Sequence, residues 1–240
     1  MRNTVGLCLS LALTVIACSS SSAPGHHGPV GIDGLSSIAV MPADQTLVID
    51  GATPASSGYT AVGTFSDGHT ADISDKVAFA VGDAGLGSFA NTTFTSGVDH
   101  GGRTTVTATA GTLVGQTSLT LQLKERYVDP GSTGLPANPG TLFGGADTPS
   151  LAAQLVYPND GVLVPPNLGK LEVHWKPAGG ATLFALDFAN GATDVEVYAG
   201  CTNPTNGGCI YLPDPTVWHW IAESNRGGAP LAIKIRATDG

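Results

Sequence analysis

The sequence predicts an all-β fold: one or two antiparallel β-sandwich domains joined by a Pro/Gly-rich linker. Three observations carry that expectation. Of the 240 residues only 12% are charged and 6% aromatic, while 33 are Gly and 16 Pro, a composition of short strands and tight turns. Apolar and polar residues alternate with a period of two through most of the chain, the pattern of half-buried strands. Turn residues interrupt that alternation every ~8–12 residues, the spacing of a sandwich.

The first 18 residues stand apart. Arg2 gives a small positive start, and Val5 to Ala17 is apolar apart from Gly6, Ser10 and Thr14. The run is shorter than the ~20 residues that span a bilayer. It fits the ~7–15-residue apolar core of an export signal. Its last residues, Val15-Ile16-Ala17-Cys18, resemble the lipobox of bacterial lipoproteins. The resemblance implies a diacylglyceryl group on the Cys18 thiol, cleavage after Ala17, and a second, palmitate-type acylation of the new amine. One acyl chain holds a membrane only marginally, at ~0.8 kcal/mol per buried methylene, whereas two or more anchor stably. Ser19, rather than Asp, is what outer-membrane lipoproteins of didermal bacteria carry. The expectation is an exported protein whose membrane partner is reached through lipid alone. The competing reading is an ordinary signal peptide with an incidental cysteine.

Residues 19–34, SSSSAPGHHGPVGIDG, hold nothing to bury and read as a flexible tether. His26-His27 within it is an incidental pair rather than a metal site.

Residues 35–123 read as the first domain. Two apolar runs flank Pro42-Ala43-Asp44; Tyr59 to Phe65 alternates and ends on a hairpin signal at Asp67-Gly68, where a primed turn needs φ > 0 twice. Further on, Thr104, Val106 and Ala108 share one strand face and Thr105, Thr107 and Thr109 the other. Ala110-Gly111-Thr112 then turns the chain into a strand from Val114 to Leu123. This makes about seven short strands. The stretches YTAVGTFSDGHTADIS and GSFANTTFTSGVDHGGRTTVTATAGTLVGQTSLTL resemble bacterial immunoglobulin-like domains of group 2. That likeness implies an Ig-like sandwich of the kind found along bacterial surface proteins and adhesins, with no catalytic residues to carry over.

Residues 124–150 carry the densest charge cluster, Lys124-Glu125-Arg126, and then Pro and Gly without period; they read as a linker. Residues 151–240 read as a second β-sandwich-like domain. Leu171, Val173 and Trp175 share a face opposed by Glu172 and His174, and ATLFALDFA, TDVEVYAG, VWHWIAES and PLAIKIRA are further strand expectations. The PPNL…HW opening resembles, more loosely, fibronectin type III-like and Ig-like modules of surface lipoproteins. Its closing strand, Leu231–Ala237, suits either a minimal fold or the front portion of something longer.

Of the four cysteines, Cys8 leaves with the leader and Cys18 takes lipid. Cys201 and Cys209 remain, at the ends of the loop CTNPTNGGC. In an oxidising compartment they are expected to form a disulfide; a two-cysteine metal site lacks a nearby third ligand.

The chemistry is sparse. There is no nucleophile elbow, phosphate-cradling loop or His-Glu-x-x-His helix, so no enzyme, catalytic residue, metal or cofactor is expected. Loss of Arg2 with the leader leaves nine basic against 19 acidic residues, a poor match for nucleic acid. His69, His100, His174 and His219 sit singly. Asp33, Asp50, Asp67, Asp160 and Asp239 each precede Gly, as turns require, and calcium ligation is the rival account. Trp218-His219-Trp220, read as strand, puts two indoles on one face with Tyr211 nearby. They form either a core or an exposed platform for a sugar ring. The functional expectation is a non-catalytic, lipid-anchored module of the cell surface or outer membrane, acting in adhesion, as a scaffold or as a spacer. The alternative is carbohydrate- or calcium-dependent ligand binding through Trp218, Trp220 and Tyr211, with an extracellular glycan or protein as partner, or the front part of a larger surface protein.

Overall fold

The computed structural model describes residues 30–146, 148–169, 171–201 and 206–238. The leader, Cys18, His26-His27 and Asp239 lie outside them.

Among the described residues the fold is all-β with one short α-helix. Ten strands belong to the first unit: β1 Leu35–Met41, β2 Gln45–Asp50, β3 Ser56–Gly58, β4 Thr60–Phe65, β5 Thr70–Asp72, β6 Ala78–Val81, β7 Gly87–Ala90, β8 Thr93–Ser96, β9 Gly102–Ala110 and β10 Leu113–Val128. One layer consists of β1–β4–β5 and β3–β8–β7; the other is β2, β10, β9 and β6. β3 and β4 are one strand interrupted at Tyr59, which is buried between the layers. The two apolar runs around Pro42 are β1 and β2, and they part company: β1 pairs antiparallel with β4, while β2 crosses to pair parallel with β10. Alternation places Ile49, Phe94, Val106, Ala108, Leu119, Leu121 and Leu123 inside and Thr105, Thr107 and Thr109 of β9 outside.

The β4–β5 turn differs from expectation. Only Gly68 has positive φ, at 88°. Gly68 N–H donates to the Phe65 carbonyl (2.9 Å) and Phe65 N–H to that of His69 (2.9 Å). This is a three-residue loop with Gly at its left-handed position, and it needs only one positive φ. Asp67 instead caps the loop by accepting from His69 N–H at 3.1 Å.

The second unit contains β11 Gln154–Tyr157, β12 Val173–Lys176, β13 Leu183–Ala189, β14 Thr193–Gly200, β15 Cys209–Tyr211, helix α1 Pro215–Ser224 and β16 Ala232–Thr238. A small antiparallel sheet, β11–β12–β15, faces β16–β13–β14 across a core of Trp175, Phe184, Phe188, Val195, Val197 and Tyr211. α1 closes that core.

The stretch expected as a strand, VWHWIAES, is α1. Asp214 caps it by accepting from Thr216 N–H at 2.8 Å, and Pro215 occupies its first turn. Asp-Pro is a strong helix start, because proline's fixed φ suits the first position and its missing donor is not needed there. Val217, Trp218, Ile221 and Ser224 make its buried stripe.

β10 is the feature that organises the molecule. It continues through Leu123, the expected end of the first domain, as far as Val128. Leu113–Leu121 pair antiparallel with β9, Leu119–Lys124 parallel with β2, and Leu123–Val128 parallel with β14. A single sheet therefore serves both units, and its two parallel pairings depart from the purely antiparallel expectation. The following segment, expected as a linker, lies across the outer face of β14, β13 and β16. Phe143 stacks on Tyr198 with ring centres 5.8 Å apart, and the Arg236 guanidinium sits 5.5 Å from the Phe143 ring.

Candidate functional site

Of the residues singled out in the sequence, Cys201 and Cys209 meet as a disulfide with Cα atoms 5.9 Å apart. Cys201 directly follows β14 and Cys209 opens β15, so the bridge staples the two sheets of the second unit together. Closing a loop this short stabilises by about 2.5 kcal/mol on the chain-entropy account.

The tryptophan pair lies on a helix rather than the expected strand, and it forms no exposed platform. Positions two apart on a helix point to nearly opposite sides. Trp218 is 8% exposed and Tyr211 3%, both in the second core. Trp220 points the other way and is half-buried against both cores, with its ring edge-on to Tyr127 at 6.2 Å. It fills the seam between the units.

The glycine-preceding aspartates are dispersed. Asp50 pairs with Lys124 at 2.9 Å and Asp67 with His69. Among the described residues, no group of three His, Cys, Asp or Glu side chains is placed to hold a metal ion.

Three arrangements that the sequence did not reveal remain. The first is a clamp across the unit junction. Asp99, in the loop before β9, presents one carboxylate oxygen to His219 Nε2 of α1 at 2.9 Å and to His100 Nδ1 at 3.1 Å. These hydrogen bonds, that to His219 first, hold the Asp99 carboxyl below its usual range. Beside it, Gly101 N–H donates to the buried Ser224 hydroxyl at 2.8 Å. A Cβ on Gly101 would lie 2.1 Å from the Ala192 carbonyl oxygen and 2.6 Å from that of Leu121. Only glycine lets β9, β10 and the β13–β14 turn come together there.

The second is a charge ladder on the outer sheet face. Arg126 of β10 and Arg236 of β16 both reach the buried Glu196 of β14, and they are held on their far sides by Asp194 and Asp187 respectively. Burial, then the hydrogen bond to Glu196, pushes the Tyr198 hydroxyl up to about 12. Every charge has a partner, and the ladder fastens four strands and the Phe143 segment. A shallow cavity of about 450 Å³ beside it is bordered by Arg126, Tyr198 and residues 137–141. Its one cation, Arg126, is already engaged by Asp194 and Glu196.

The third is an exposed face on β11–β12–β15. Inward residues Leu155, Val173, Trp175, Cys209 and Tyr211 join the core. The opposite face shows His174 between Tyr157, 5.4 Å away ring to ring, and Ile210, its register partner. His174 Nε2 and Glu172 Oε2 are 2.7 Å apart. Among the described residues, thirteen large apolar side chains are exposed; seven belong to this sheet or its loops, namely Val156, Tyr157, Val162, Leu163, Leu168, Ile210 and Leu212. Concentrations of this kind mark contact surfaces.

Comparison with known proteins adds little to the geometry. No family model matches the chain. A curated protein named ice-binding protein 1, from Shewanella frigidimarina, is 36% identical over 87 residues. That stretch is 36% of this chain and 9% of the Shewanella protein, so the chain spans less than a tenth of that relative's length.

Proposed function

We propose that this chain is a non-catalytic, lipid-anchored module of the bacterial cell envelope, acting as a stiff spacer and scaffold. The observation that carries the reading is β10. Its 16 residues make one strand about 50 Å long that belongs to both cores. Two units on a shared strand, sealed by Trp220 and the Asp99 clamp, hold a distance better than two units on a free linker. The leader, the Val15–Cys18 lipobox and the outer-membrane-type Ser19 supply attachment and place.

A scaffold is favoured over a bare spacer by the exposed face of β11–β12–β15. A protein partner with an apolar surface is favoured over a glycan, because the face offers aliphatic side chains around one tyrosine rather than a pair of open rings. An ice-contact role does not follow from the Shewanella protein, most of which has no counterpart in the match.

Mass spectrometry of the mature N-terminus tests the anchor: the expected product begins at an acylated Cys18. A Cys18→Ser variant is expected to leave the detergent phase on partition. An unmodified Met1, or a variant still recovered with membranes, refutes lipid anchoring.

A further inference from the structure

We propose that the folded body stands end-on at the lipid surface, with the second unit and its exposed apolar face outermost. The inference rests on the lipid anchor proposed above and goes beyond it by fixing a direction. Chain entry and chain exit lie at opposite ends. The backbone of Gly31 is seated against Gly111, since a Cβ on Gly111 would lie 2.9 Å from Gly31 Cα. Gly34 accepts from Ser66 N–H at 2.8 Å, so the β4–β5 turn sits at this end as well. Gly111 is in the turn that launches β10, and β10 then climbs away from it into the second unit. β14 runs parallel to β10 and ends two residues beyond it, at Gly200. Leu183 pairs with Gly200, and Thr238 with Leu183, so the last described strand finishes at the far end.

The turns at the entry end carry Asp33, Asp67, Asp75 and His69 against a single lysine, Lys76, so their balance is acidic and does not pull the body onto anionic headgroups. Between Cys18 and Val30 lie eleven residues, which reach at most about 40 Å. β10 alone makes the body at least about 50 Å long. The tether is therefore too short to let the body invert and put its far end on the membrane.

Neutron reflectometry tests this on the full mature chain, coupled through the Cys18 thiol to a maleimide lipid in a supported phosphatidylcholine bilayer. The protein layer is expected to extend about 50 Å or more above the headgroups. Any layer thinner than about 45 Å, and in particular one near the roughly 30 Å depth of a sandwich on its side, overturns the proposal. The lipid is supplied chemically, so the result does not depend on natural acylation, which mass spectrometry reads separately.

Discussion

The two units solve the same problem with different materials. The first uses neither disulfide nor helix. Its irregular backbone is tied by short side chains: Ser96 Oγ accepts from Ala55 N–H, Ser74 Oγ from Ala61 N–H and Thr117 Oγ1 from Asp44 N–H, all between 2.8 and 2.9 Å. The second has large aromatics, a cross-sheet disulfide and a capped helix, and it leaves an apolar face uncovered. The difference shows where each unit's order comes from. Alternation with well-made turns suffices when both layers are extended sheets. A small three-stranded sheet, with less apolar area to bury, needs a covalent staple and a helical lid.

The sharpest way to break this contrast is to empty the second core. Trp175 is 1% exposed and packs edge-on to Phe184 at 5.1 Å. Trp175→Ala is expected to cost about 3–5 kcal/mol. Because the units share β10, calorimetry should show one transition moving down as a whole; a first-unit transition left at its original temperature would show the units to be independent. Cys201→Ser comes next, at about 2.5 kcal/mol, with the free thiol of Cys209 becoming titratable under denaturant. Phe94→Ala should match the Trp175 variant while this one has no first-unit equivalent. Gly101→Ala tests the seam. Its clash is with backbone atoms that cannot swing aside, and a loss of about 1–3 kcal/mol is expected, together with new proteolytic cleavage near residues 97–101. Unchanged proteolysis would remove Gly101 from the junction.

The smallest effect is pH-dependent. The Asp99 carboxyl is held below its usual range by His219 and then His100. A depressed carboxylate contributes stability that is complete above its ordinary value and is lost as pH falls through the lowered one. The Asp99 side chain is 65% exposed, so the contribution is small. Asp99→Asn should lower stability slightly at neutral pH and flatten the acid limb below about pH 4 by the same small amount, so that the two proteins converge at low pH. An identical acid limb in both proteins would dismiss the clamp.

The first unit was legible because its core positions follow a period of two: the β9 faces fall where the alternation puts them. The disulfide was legible from two cysteines at the ends of a loop. The length of β10 was not. Lys124 and Arg126 look like a solvated strand end, yet they are neutralised by Asp50, Asp194 and Glu196, partners about 70 residues away in sequence. The helix was missed although its signal was present: Asp214-Pro215 announces a cap, but two tryptophans at even spacing suggested a strand. The Asp99 clamp joins residues 120 positions apart, and no local pattern anticipates it.

β10 also bears on how the molecule would carry load. Held at Cys18 and pulled from beyond Thr238, the protein receives tension along its long axis, parallel to β10 and to its ladders with β2, β9 and β14. Force applied in that direction shears rows of hydrogen bonds that must yield together, instead of peeling them apart singly. Anchored as proposed, a protein of this geometry resists tugging along the one direction in which its ladders are loaded in shear.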